Sequence, residues 1–388
     1  MSLANLDATS SSSGEFLLVD TERAADIDRK QKFVGELLRE HKLDGLLLTR
    51  PSNFAWFTTG GDSTRGSSND VNAALFLNHD ARVVLTRNSD SGQLFDREIA
   101  RLGFQLKERP WQEPRQVLQA DLCRGRKIGA DQKFEDCVDL STHLTTQRAS
   151  LSKYEIRRLR ELGQLVAHAV EATARACRPG ETEAEIAGQL AHRLIRHEIQ
   201  PIRLQVMSDG RSSTYRHWTY GTQTVQGYCT IAAVGRRYGL HVGASRTVTF
   251  GEPSKSVRAA HLACLLVQAT GMFFSQAGWE LFETWSRIQR IYEKFGHAEE
   301  WLRADQGCVI GYELCEVPIV PKSPFKLRSG MPVLWHPSID TALAMDTIVI
   351  QDKGIEMITP MENWPEIEVD VKNVKIMRPG LLLRSESL

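Results

Sequence analysis

From Leu151 to Gly180 the apolar residues recur three and four positions apart, and Tyr154, Ile156, Leu159, Leu162, Val166, Ala169 and Val170 make one stripe. That spacing predicts an amphipathic helix. Ser152, followed three residues later by Glu155, predicts a capping box at its start, and Pro179-Gly180 predicts its end. Thr182 and Glu185 repeat the box and open a second helix, with Ile186, Leu190 and Leu194 turned inward. Two further amphipathic helices are expected within residues 254–275 and 279–294. Strand-like runs occupy 228–250, 308–320 and 332–358. Helices outside a curved, mainly antiparallel sheet fit this order better than a βαβ repeat, so the expected fold class is α+β.

Upstream, "DRKQKFVGELLREHKLDG" places Phe33, Leu37 and Leu38 on one helical face, and "GLLLT" reads as a short buried strand. "AALFLNHDARVVLT" reads as a hairpin with Asn78, His79 and Asp80 at its turn. The alternation of helix and strand continues to about Thr146, which predicts a small α/β domain. The serine-rich opening has little to bury and is expected to be disordered. The expected organisation is a disordered segment over 1–27, an N-terminal α/β domain over 28–150 and a C-terminal domain over 151–388.

Composition narrows the classes of partner. At 388 residues the chain is long enough for two cores. Its 48 basic residues balance 48 acidic ones, so no excess marks nucleic acid or an anionic membrane as the partner. Cys123, Cys137, Cys177, Cys229, Cys264, Cys308 and Cys315 are an odd set at wide spacings without a CxxC. They argue for reduced thiols in a cytosolic chain rather than a disulfide framework or a simple zinc knuckle. The first residues have neither a basic start nor an apolar block, and no stretch approaches the ~20 apolar residues of a membrane helix. A soluble, cytoplasmic protein is the expectation.

Several motifs carry a family resemblance. "LSKYEIRRLRELGQLVAHAVEATARACRPGETEAEI" resembles the start of the catalytic domain of the creatinase, prolidase and aminopeptidase P family. "LDGLLLTRPSNFAWFTTGG" resembles that family's N-terminal domain, and "GRRYGLHVGASRTVTFGEP", "GYELCEVP", "SGMPVLWHP" and "MDTIVIQDKGIEMIT" follow in the family's order. The resemblance implies the pita-bread fold, in which two pseudo-symmetric halves surround a curved sheet. It also implies a homodimer, and symmetric association is the commonest form of oligomer.

The peptidases of that family hold two metal ions with two Asp, one His and two Glu. Laid over this chain, the motifs place those ligands on Ala233, Gly243, Cys308, His336 and Met345. The spacing between the first two is one residue short of the usual pattern. Hard divalent ions want oxygen ligands, and a paired site needs bridging carboxylates. The expectation is therefore no metal cofactor. Asp346, adjacent to Met345, should point to the opposite face of its strand. A replacement zinc site from Cys308, Cys315 and His336 stands as an alternative to buried, inert cysteines.

His217, in "SSTYRHWTYG", falls where the family keeps a histidine beside the substrate; in creatinase, which works without metal, the corresponding histidine is the acid/base. The unperturbed imidazole pKa of ~6.5 suits that role. The candidate catalytic residues are thus His217, His336 and Cys308, the last as a thiol nucleophile if His336 or His217 stands close. Glu316 matches the acid of the family's H-E-x-P segment and Arg246 the arginine of its D-x-T-R-T segment. With Cys315 they are candidates for substrate binding, or Glu316 and Arg246 form a structural ion pair. Three functions remain open: a metal-independent hydrolase of a small amide or amidine, a non-catalytic protein that binds a small-molecule ligand or a partner, and a Xaa-Pro metallopeptidase if the ligand register is wrong.

Overall fold

The computed structural model describes residues 20–66, 70–134 and 136–385. The serine-rich opening lies outside the described residues, and of the segment expected to be disordered over 1–27, residues 21–27 are helical. The first helix, Thr21–His41, starts earlier than the expected boundary near Asp28 because Asp20 caps it, accepting the backbone N–H of Arg23. The Tyr154 hydroxyl donates to the same carboxylate at 2.6 Å. This helix covers a six-stranded sheet in the order Gln105–Arg109, Arg82–Arg87, Ala73–Leu77, Gly45–Leu48, Ile128–Ala130, Val138–Asp139. The expected hairpin joins Ala73–Leu77 to Arg82–Arg87, and Asn78 closes its turn by accepting the N–H groups of Asp80 and Ala81.

The C-terminal domain opens with helix Lys153–Ala176, and both predicted capping boxes are formed, here and at Glu183–Ile195. The two helices lie over a four-stranded sheet of Gln200–Ser208, Tyr228–Arg237, Leu240–Phe250 and Leu382–Arg384. A five-stranded antiparallel sheet follows, ordered Val317–Pro318, Gly307–Val309, Pro332–Trp335, Asp346–Ile350, Ile355–Met357. Helices Lys255–Phe274 and Leu281–Lys294 pack with this second half. The sheets meet where Ser245 N–H donates to the Met345 carbonyl at 2.8 Å and Gly243 N–H donates to Thr347 Oγ1 at 3.0 Å. That seam brings Gly243 and Met345, two of the expected ligand positions, together.

The two domains are locked by buried polar contacts. Lys30 Nζ reaches Glu155 Oε1 at 2.6 Å, and Tyr312 donates to the same oxygen at 2.7 Å. On the other side Arg148 Nε lies 2.9 Å from each oxygen of Glu316, while its Nη1 bonds Asn53. Burial pushes the Glu316 carboxyl upward, and Arg148 opposes that shift. Arg148→Ala would strand this carboxylate without its cation. The expected result is a lower urea midpoint corresponding to about 3 kcal/mol. Arg148→Lys should recover only part, since an ammonium lacks the planar fork.

Candidate functional site

Side chains alternate across a strand, and register decides which of them share a face. In the hairpin of Tyr228–Arg237 and Leu240–Phe250, Val234 pairs with Gly243 and Ala233 with Ala244. Ala233 therefore cannot stand opposite Gly243. It packs in the core that includes Val166 and Val170, whereas Ala232 and Val234 join the cluster of Met207, Cys308, Ile310, Leu334, Leu343 and Met345. Of the expected ligand positions, Ala233 thus does not share a face with Gly243. Neither neighbour restores a carboxylate.

This cluster is an apolar plug of buried side chains. None of its eight members is more than 6% exposed. A Cβ on Gly243 would lie 2.8 Å from Leu334 Cδ1 and 2.9 Å from Met345 Sδ, closer than real side chains approach. Asp346 turns the other way, as its strand position predicts. Its Oδ1 takes Arg246 Nη1 at 3.0 Å, and its Oδ2 pairs with Arg378.

At the edge of the plug three polar groups line up. His217 Nε2 stands 3.2 Å from Asp305 Oδ1, and His336 Nε2 stands 3.5 Å from Asp305 Oδ2. The His217 side chain is 57% exposed, while His336 is buried. Burial lowers the His336 pKa, with Asp305 opposing and Arg203 and His217 reinforcing, so the neutral ring is favoured. His217 leaves the chain in the loop after the short turn Arg211–Ser213, and neighbouring Trp218 is fixed by Nε1 donating to Glu183 at 2.8 Å.

The neighbouring Cys315 thiol and burial push Cys308 well up, while Cys308 moves the exposed Cys315 thiol down. Cys308 is consequently a buried thiol whose Sγ also faces the Leu314 carbonyl at 3.4 Å, the opposite of an activated nucleophile. Among the described residues no three His, Cys, Asp or Glu side chains are grouped to hold a metal ion. His336 faces Asp305 rather than completing a zinc set with the thiols.

The remaining candidates lie elsewhere. Glu316 is held by Arg148 at the domain boundary, and Arg246 is fully buried between Glu171 Oε1 at 2.9 Å and Asp346. Each is an ion-pair partner, but not of the other, and neither reaches His217. The expected substrate-binding role has no geometry behind it at these two positions. Cys315 is the exposed member of that trio. Asp305 and Arg203 were not foreseen. Asp305 lies three residues before Cys308 in an irregular segment, and Arg203 sits beside a strand irregularity between Pro201 and Arg203, so neither carries a periodic signal.

Residues 157–370 match Metallopeptidase family M24, which is more than half of the chain, and the protein belongs to that family. Among curated proteins no significant match is found. Among solved structures the chain is similar to a Xaa-Pro dipeptidase from Bacillus anthracis, at 18% identity and a TM-score of 0.72 over 94% of this chain and 99% of the other. A prolidase from Pyrococcus furiosus aligns at 16% identity and a TM-score of 0.72, over 84% of this chain and 99% of that one. An X-Pro aminopeptidase from Thermotoga maritima MSB8 aligns at 18% and 0.68, over 86% and 98%. At such identities these structures establish the shared α+β, two-domain fold.

Proposed function

We propose that this chain is a family member that has given up dinuclear-metal hydrolysis and works as a metal-independent binding protein. The apolar plug is the observation that carries this reading. A pair of divalent ions does not fit the residues present. Val234 or Ala232, Gly243 and Met345 supply no donor suited to a hard ion, and the two donors left, Cys308 and His336, are soft or borderline and carry no bridging carboxylate. The Xaa-Pro metallopeptidase alternative required a different register. A one-residue shift at Ala233 leads only to Ala232 and Val234.

In this reading the ligand is a small molecule that docks at the mouth beside His217, Asp305 and His336, above a closed apolar floor. The protein is proposed to be a cytoplasmic homodimer, on the resemblance to prolidase and creatinase; no helix among the described residues is long and apolar enough to cross a membrane.

A second reading is favoured by one specific feature, the Asp305 carboxylate set between two imidazoles. Asp305 Oδ1 stands 3.2 Å from His217 Nε2, a carboxylate beside an imidazole as in a base-and-orienter pair that acts on an attacking water. That would make the protein a metal-independent hydrolase of a small amide or amidine.

The readings separate in one set of assays. Metal content after dialysis, and cleavage of Xaa-Pro dipeptides with and without added manganese, should both stay at background. Stoichiometric manganese that switches on prolyl-dipeptide cleavage would refute the proposal. Turnover of a metal-free amide or amidine that disappears in both His217→Ala and Asp305→Asn would select the hydrolase.

A further inference from the structure

A second cleft lies between helices Lys255–Phe274 and Leu281–Lys294 and the turn that joins strands Glu366–Val371 and Val374–Pro379. Its volume is about 420 Å³, within the range of small-molecule sites. Leu266, Phe274 and Ile291 make an apolar floor. The rim is cationic. Arg287, Arg290 and Lys294 follow at three- and four-residue steps on one helix, so its periodicity stacks them along the stripe that also holds Ile291. Lys372 enters from the turn, where it and Asn373 adopt left-handed backbone with φ of 54° and 63°.

Ordinary explanations cover only part of this arrangement. The dipole at a helix C-terminus favours a cation in the last turn, which accounts for Lys294. It does not account for Arg287, further up the helix, or for Lys372 on another element. Arg287 lies over the rings of Phe274 and Trp279 at 5.1 and 6.0 Å, an interaction that leaves its guanidinium without a carboxylate. Among the described residues no ion pair is formed by any of the four cations. The single acid of the lining, Asp370, already accepts the Asn373 N–H at 3.0 Å. Like charges gathered on one stripe repel, and burial of the floor beneath them adds no compensation. The excess positive charge over an apolar bed is complementary to a negative group carried on an apolar body.

We propose that this cleft binds a small anionic amphiphile, its apolar part on Leu266, Phe274 and Ile291 and its carboxylate or phosphate among Arg287, Arg290, Lys294 and Lys372. The site is independent of the function assigned to the central seam.

Calorimetric titration of the full chain tests it with four probes: decanoate and decyl phosphate as the two anionic forms, decanol for the apolar part alone and inorganic phosphate for the charge alone. The expected result is saturable binding of one ligand per chain for decanoate or decyl phosphate, about tenfold or more tighter than either partial probe and weakened by added salt. Arg290 and Lys372 are exposed, so an Arg290→Glu, Lys372→Glu double variant should keep the native circular dichroism spectrum. Its affinity for the anionic probe should fall about tenfold or more. Equal affinity for decanol, undiminished binding by the folded double variant, or no saturable binding of either anion would overturn the proposal. Association only with anionic lipid vesicles, and not with the soluble probes, would overturn it as well.

Discussion

Gly243→Asp is expected to destabilise the protein by about 5 kcal/mol or more, enough to abolish most soluble expression. Two effects combine at this position. The new Cβ would lie 2.8 Å from Leu334 Cδ1 and 2.9 Å from Met345 Sδ, so the plug must shift to admit even a methyl group. Overpacking of this kind costs roughly 1–3 kcal/mol. The carboxylate would then sit among Val234, Met345 and Leu334 without a cation, and it would have to take up a proton or remain unpaired. Gly243→Ala isolates the first effect and should lower the urea midpoint by only its share. A folded, soluble Gly243→Asp variant that takes up manganese would show that the centre is a vacated metal site and not a plug.

The second large effect is a loss of stability in mild acid. His241 and His261 are buried neutral rings whose pKa values burial lowers to about 4. His241 Nδ1 donates to the Gly311 carbonyl and His261 Nε2 to that of Pro379, each at 3.0 Å. In the unfolded chain both titrate near ~6.5, so between those limits the unfolded state binds more protons and stability rises with pH. Their contribution is complete above about pH 6.5 and is lost as pH falls through the folded pKa near 4. Each histidine is worth about 3 kcal/mol, or about 6 kcal/mol for the pair. His336 acts in the same direction, while Glu316, raised by burial, opposes it. Urea midpoints measured between pH 6.5 and 4.5 should therefore decline steeply. His261→Gln, which still donates to Pro379 but does not titrate, should remove about half of the decline due to this pair. A flat profile over that window would refute the assignment.

Much of the fold was legible because its signals are local. The stripe from Tyr154 to Val170, the reciprocal caps at Ser152 and Thr182, and the Asn78 turn each depend on residues a few positions apart, and each formed as expected. The site was harder for a definite reason. Motif alignment places residues along the chain, but a face is set by cross-strand pairing, which puts Val234 and not Ala233 opposite Gly243. Partners distant in sequence were equally hidden. Arg148 and Glu316 are 168 residues apart, and nothing near Glu316 marks it as a boundary contact and not a pocket residue. Asp305 belongs with them, since only the folded chain sets its carboxylate between His217 and His336.

The packing around Gly243 also bears on descent. A metal pair contributes its binding energy only when nearly the whole ligand set is present, whereas a carboxylate at position 243 meets the packed side chains of Leu334 and Met345 at once. On the proposed loss of the metal pair, neutral one-residue changes lead into this state more readily than a carboxylate at position 243 leads back out, so the packing would act as a ratchet on the lineage.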